Sequence, residues 1–145
     1  MKKLILILSL LLSTNAIANT EGEKCLAATI WAEARGEPKQ GQIAVANVVL
    51  NRAYITDQSI CQVVKEKHQF SWTNSKVEFD NAFRKSGQYL QLANDILMGV
   101  YNDPTFGATH FFSQGVPSWF KKGKQTVKIG NHTFMKGTYV VARRK

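Results

Sequence analysis

The sequence predicts an α+β domain, with helices through its first half and a small antiparallel β element in its C-terminal third. Three observations support this. Apolar residues recur at helical spacing as far as about Tyr101, and short β-favouring stretches broken by glycine and proline follow. No repeat, low-complexity stretch or linker divides residues 19–145.

The chain opens with Lys2 and Lys3, an apolar run from Leu4 to Leu12, and the small-x-small pattern Ala16-Ile17-Ala18. Residues 1–18 therefore read as a signal peptide. The run is about half of the ~20 residues a membrane span needs, so an uncleaved anchor is the weaker alternative. Residues 19–145 are expected to form one domain, long enough for a hydrophobic core.

Within it, Glu23 to Arg35 places Leu26, Ile30 and Ala34 on one face and stops at Gly36-Glu37-Pro38. Gln40 to Ala53 is apolar nearly all round, with one polar stripe of Gln40, Asn47 and Asn51, as expected of a buried helix. The two asparagines either satisfy the core or brace the preceding helix. Ile60 to Lys67 reads as a short helix. Ser86 to Tyr101 reads as a longer one, capped by Ser86, with Leu90, Ala93, Ile96, Leu97 and Val100 inward. Between these two, Gln69 to Asn81 lacks a helical period and is predicted to be a loop; one of that length is often functional. Thr109–Ser113, Thr126–Ile129 and Thr133–Met135 favour strand, and Trp119 is assigned to the core.

The formal net charge is +9, falling to +7 without Lys2 and Lys3, and only Ala142-Arg-Arg-Lys145 is locally dense. A scattered basic surface suits polyanions. Export makes the acidic polymers of an envelope a better partner than nucleic acid. The two cysteines, Cys25 and Cys61, most simply form one disulfide in an oxidising compartment. Such a bond would stabilise the fold by roughly 3–4 kcal/mol. A cysteine nucleophile paired with His68, His110 or His132 is the alternative, and no nucleophile motif surrounds either cysteine.

The chemistry concentrates on Ala32-Glu-Ala-Arg-Gly-Glu37. At 100° per residue, Glu33 falls between Leu26 and Ile30 around the helix, at the edge of the core-facing stripe. Partial burial raises a carboxyl pKa, as a general acid near neutrality requires. Arg35 points away, and Glu37 is expected to be exposed. An ordinary helix-end ion pair is the alternative for Glu33. Glycosidic cleavage usually employs two carboxylates, and no second one has an evident partner position. Scarcity of acids fits a one-acid route, in which a substrate hydroxyl replaces water as the nucleophile.

The run Thr29-Ile-Trp-Ala-Glu-Ala-Arg-Gly-Glu-Pro38, followed by Gly41-Gln-Ile-Ala-Val-Ala-Asn-Val-Val-Leu-Asn-Arg52, closely resembles the SleB/CwlJ-type cell-wall hydrolases known from spore-cortex-lytic enzymes. The resemblance continues through Gln69-Phe-Ser-Trp72, Gly107-Ala-Thr-His110, Pro117-Ser-Trp119 and Ile129-Gly-Asn-His-Thr-Phe134. It implies a lysozyme-related fold, peptidoglycan as substrate and Glu33 as catalytic residue. It further implies cleavage between N-acetylmuramic acid and N-acetylglucosamine by a lytic transglycosylase, with a water-using muramidase as the alternative. The pattern departs at Phe112, where many members carry His or Tyr, so a polar contact is expected to be missing there.

On that reading Gln69, Ser71, Trp72 and Asn74 are candidates to line a sugar groove, with loop packing as their alternative. His110, Phe112 and His132 are weaker candidates, because each histidine could be structural. No cofactor is expected, and the protein is expected to work as a secreted or periplasmic monomer without stable membrane insertion. Two other classes compete. A zinc hydrolase would use His68, His110 and His132, but no His-Glu-x-x-His spacing supports it. A non-catalytic cationic wall-binding protein would rest on the positive charge alone.

Overall fold

The computed structural model describes residues 19–120 and 122–139. The expected signal peptide and the basic tail from Ala142 lie outside the described residues. Five α-helices come first: α1 Glu21–Ala34, α2 Lys39–Thr56, α3 Ile60–Lys65, α4 Lys76–Lys85 and α5 Leu90–Leu97. Three strands follow, β1 His110–Phe112, β2 Lys124–Ile129 and β3 His132–Lys136. They form one antiparallel sheet in the order β1-β3-β2, with a register shift between Gln125 and Val127. The α+β class holds, with the helices first and the small antiparallel sheet in the C-terminal part. No described helix is long and apolar enough to cross a membrane.

The helix starts follow from local hydrogen bonding. The Thr20 hydroxyl accepts from Glu23 N–H, and the Ser75 hydroxyl accepts from Glu78 N–H. Ser59 and Gln62 cap α3 reciprocally. Helix α1 is the central element, packed against α2, α3, α4 and α5. Its residues Cys25 to Ile30 are all fully buried, so this helix lacks the single apolar face its sequence suggests. Alanines 27 and 28 let neighbouring helices approach closely. Cys25 and Cys61 form the expected disulfide, with Cα atoms 5.4 Å apart, tying α1 to α3.

Several expectations are corrected. Gln69 to Asn81 is not one loop: Ser71–Thr73 is a 3₁₀ turn, and α4 begins at Lys76. Phe79, Ala82 and Phe83 stand at helical spacing there, but the polar residues around them hide the period. Ser86 does not cap a long helix. Its buried hydroxyl donates to Phe83 O, a 3₁₀ turn spans Gly87–Tyr89, and α5 ends at Leu97. Gly99, at φ 75°, follows, which leaves Val100 exposed rather than inward. Helix α3 ends at Lys65, two residues early. Trp119 is not core: 71% of it is exposed.

Helix α2 sets where the sheet begins. Asn51 Nδ2 donates to Ala108 O at 2.9 Å and to Asp103 Oδ2 at 3.0 Å, and Arg52 Nε donates to Thr109 O at 2.7 Å. Asn47 satisfies its own helix through Ile43 O. Asn47 thus serves the core and Asn51 the segment leading into β1, and among the described residues neither hydrogen-bonds to helix α1.

Candidate active site

A cleft of about 610 Å³ lies between the helical layer and the sheet. One wall carries Glu33 from α1, Arg52 from α2, and Gln69, Phe70 and Ser71 from the segment after α3. The other carries Phe111 and Phe112 from β1, the loop from Ser113 to Pro117, and His132 from β3. Among the described residues Glu33 is its one acidic side chain.

Glu33 sits in the last turn of α1, half-buried, and makes no ion pair among the described residues. Burial pushes its carboxyl pKa up. Trp72 and, more weakly, Arg52 oppose that rise. The Trp72 indole N–H is close enough to favour the carboxylate, yet makes no hydrogen bond of acceptable geometry. Arg35 turns away, as its spacing predicts. Its guanidinium covers the Trp31 ring at 4.4 Å and donates to the carbonyls of Trp31 and Ala32. The result is an acid with a raised pKa in the lining of a groove, shifted in the direction that general acid catalysis requires.

Arg52 is the residue that the sequence reading missed. It is 5% exposed, its Cζ lies 4.7 Å from the Tyr139 ring and 5.4 Å from Phe70, and its Nη1 is buried without a partner. Burial lowers its pKa, and Tyr139 and Glu33 counter that. Val45, Val48 and Arg52 share one face of α2, the first two fully buried. A charge at the end of a buried stripe was the available signal. Phe70, Phe111 and the loop from Ser113 to Pro117 were also not foreseen.

The other candidates divide. Gln69, Ser71, Phe112 and His132 line the cleft. Trp72 does not: it is 7% exposed and packs on Phe70 and Phe79 behind Glu33. Asn74 is exposed and outside the lining. His110 is withdrawn among Phe112, Phe120 and Tyr139, with Nδ1 2.9 Å from Thr109 Oγ1. Burial, aided by the positive charge of Arg52, pushes its pKa down to about 4.

Glu37 is not exposed, contrary to expectation; its side chain is only 8% accessible. Oε2 accepts the Asn131 backbone N–H at 3.0 Å, and Oε1 accepts Asn131 Nδ2 at 3.1 Å. The tight β2–β3 turn makes this approach possible, because Gly130 is at φ 57° and a Cβ there would overlap the Glu37 carboxylate. His132 Nδ1 lies 3.9 Å from Glu37 Oε1. Burial lowers the His132 pKa and Glu37 opposes the change. Among the described residues, no three His, Cys, Asp or Glu side chains gather closely enough to hold a metal ion.

Residues 36–135 match the family model described as Cell Wall Hydrolase. That stretch opens just after Glu33. The chain is 35% identical over 122 residues to a spore cortex-lytic enzyme of Bacillus cereus, covering 77% of this chain and 42% of that one. With the spore cortex-lytic enzyme of Bacillus subtilis it shares 29% over 120 residues, covering 77% and 36%. The chain therefore spans well under half the length of these curated relatives. Among solved structures, it resembles the catalytic domain of the germination-specific lytic transglycosylase SleB from Bacillus anthracis. The TM-score is 0.66 at 27% identity, over 81% of this chain and 96% of that one. The catalytic domain of the Bacillus cereus SleB protein gives 0.64 at 28%, over 83% and 94%. The family match spans α2 to β3, the structural likeness covers four fifths of the chain, and the chain belongs to the cell wall hydrolase family.

Proposed function

We propose that the chain is a peptidoglycan glycosidase that cuts between N-acetylmuramic acid and N-acetylglucosamine, acting as a lytic transglycosylase with Glu33 as its one catalytic carboxyl. The observation that carries this reading is a cleft holding a single, half-buried carboxyl with a raised pKa. The relatives point the same way, since the Bacillus anthracis neighbour is described as a lytic transglycosylase.

In the first step the protonated Glu33 gives its proton to the glycosidic oxygen. The C1–O bond breaks, the N-acetylglucosamine side leaves as an alcohol, and positive charge develops at C1 of the muramic sugar. In the second, the C6 hydroxyl of that sugar attacks C1 while the Glu33 carboxylate takes the hydroxyl proton. The product is a 1,6-anhydro sugar and the acid is restored. Hydrolysis by either standard geometry would call for a second carboxylate ~5–9.5 Å away, and the lining offers none. Arg52 favours the carboxylate formed between the two steps. Gln69 and Ser71 supply hydrogen bonds for hydroxyl and acetamido groups, and Phe112 and His132 close the opposite side. On this reading the protein works as a monomer in the envelope or outside the cell, after loss of residues 1–18.

The test is mass spectrometry of fragments released from purified peptidoglycan. Anhydro-muramyl ends are expected, with release abolished by Glu33→Gln. Reducing muramic ends would replace transglycosylation by water attack, and no release at all would overturn the enzymatic reading.

A further inference from the structure

A solvent-exposed tryptophan stands beside the cleft. Trp119 is 71% exposed, two residues beyond Pro117, which lines the groove. Its ring is nevertheless held in place. It meets Phe112 edge-on at 6.1 Å and 80°, and Phe120 edge-on at 5.8 Å and 86°. Phe112 itself lines the cleft, and Phe120 is buried. Single exposed apolar residues are common. An indole braced by two other rings and continuous with a polar groove differs from these. It offers a flat surface whose orientation is set before any ligand arrives, so little side-chain entropy is lost on contact.

Resting on the proposed cell-wall activity, we infer that Trp119 is a sugar-stacking platform that binds the glycan strand beyond the residues straddling Glu33. A pyranose ring presents weakly positive C–H groups on one face, which complement the electron-rich face of an indole. An enzyme that cuts within a polymer leaves chain on either side of the scissile bond. The loop wall is where that chain leaves the groove. Trp119 thereby reads strand length rather than the reacting linkage.

Tryptophan fluorescence provides the test, because the three tryptophans are differently covered. Trp72 is buried, and Trp31 lies between Arg35 and Lys85. In a Trp31→Phe background, which removes the half-buried indole whose cationic neighbours would attract iodide, iodide should quench mainly Trp119. The full chain carrying Glu33→Gln is titrated with a peptide-free hexasaccharide of alternating N-acetylglucosamine and N-acetylmuramic acid. Saturation should protect the fluorescence from iodide. Adding Trp119→Ala should weaken binding about three- to tenfold, with Trp119→Phe in between. Circular dichroism verifies that both variants fold. Unchanged iodide quenching at saturation, or equal affinity in the alanine variant, overturns the platform and leaves the cell-wall reading standing. Failure to bind the hexasaccharide, together with no fragment release by the native chain, overturns that reading and the platform with it.

Discussion

The two walls of the cleft are built by different means. The helical wall rests on α1, buried from Cys25 to Ile30 and tied to α3 by a disulfide. It presents Glu33 and Arg52. The opposite wall comes from β1, β3 and the loop from Ser113 to Pro117, and presents Phe111, Phe112, His132 and loop residues. The proposed proton transfer would tolerate little positional error, which suits the packed side. Sugar rings are met by surfaces, which a braced loop can supply. The electrostatics also differ in sign. Burial raises the Glu33 pKa on one wall and depresses that of His110 behind the other.

The largest effect expected is at Glu33. Glu33→Gln should reduce fragment release by at least ~10²–10⁴-fold, and retained activity would move the chemistry off the helical wall. The same change should stabilise the protein at neutral pH. A carboxyl whose folded pKa lies above 4.5 favours the fold below 4.5, and that contribution disappears as pH rises through the folded value. Melting temperatures of native and Glu33→Gln protein should therefore converge in acid and separate near pH 7. Activity should fall with rising pH through that same raised value.

Next comes the disulfide. Reduction, or Cys61→Ser, should cost roughly 3–4 kcal/mol in denaturant unfolding. A negligible loss would mean that packing alone holds α1, and that the staple is not what distinguishes this wall. Arg52→Leu should cost about 1.5–3 kcal/mol through the Thr109 hydrogen bond. It should also move the alkaline limit of activity upward, because Arg52 holds the Glu33 pKa down. A purely structural arginine would leave that limit in place.

On the sheet side, Glu37→Ala removes two hydrogen bonds to Asn131 and should cost about 1–3 kcal/mol, read by thermal melting, with hydrogen exchange rising first in the β2–β3 turn. The smallest effect concerns His110, whose pKa is pushed down to about 4. Its neutral ring contributes stability above 6.5 that is lost as pH falls through about 4. Melts between those values should show an acid loss that His110→Phe reduces.

The helical wall was much the more legible of the two. Helices α1 and α2 announce themselves by period and stop signals, and the position of Glu33 at the edge of an apolar stripe follows from counting. The cysteine pair needed only its compartment. What spacing could not supply was contact between distant segments. Glu37 looked exposed because Asn131, its partner, lies 94 positions away. Trp72 and Trp119 exchanged the places expected of them. Trp72 lies in a polar stretch, yet Phe70 and Phe79 bury it. Trp119 follows a proline in an apolar stretch, yet points outward. Aromatic content gave no indication of which side would be wet. Helix α4 was obscured for a related reason: Val77 is exposed, so its apolar residues do not lie on one clean stripe.

Glu33 and Glu37 belong to one short motif, and the fold gives them opposite fates. The first has no ion-pair partner among the described residues, as the proposed proton carrier requires. The second is fully engaged at the β2–β3 turn, whose next residue is His132 on the far side of the cleft. The helix end thus works as a caliper. One jaw is the acid itself, and the other is set by a carboxylate that reaches across to grip the opposing hairpin. The width of the groove and the position of its proton are gauged from the same five residues.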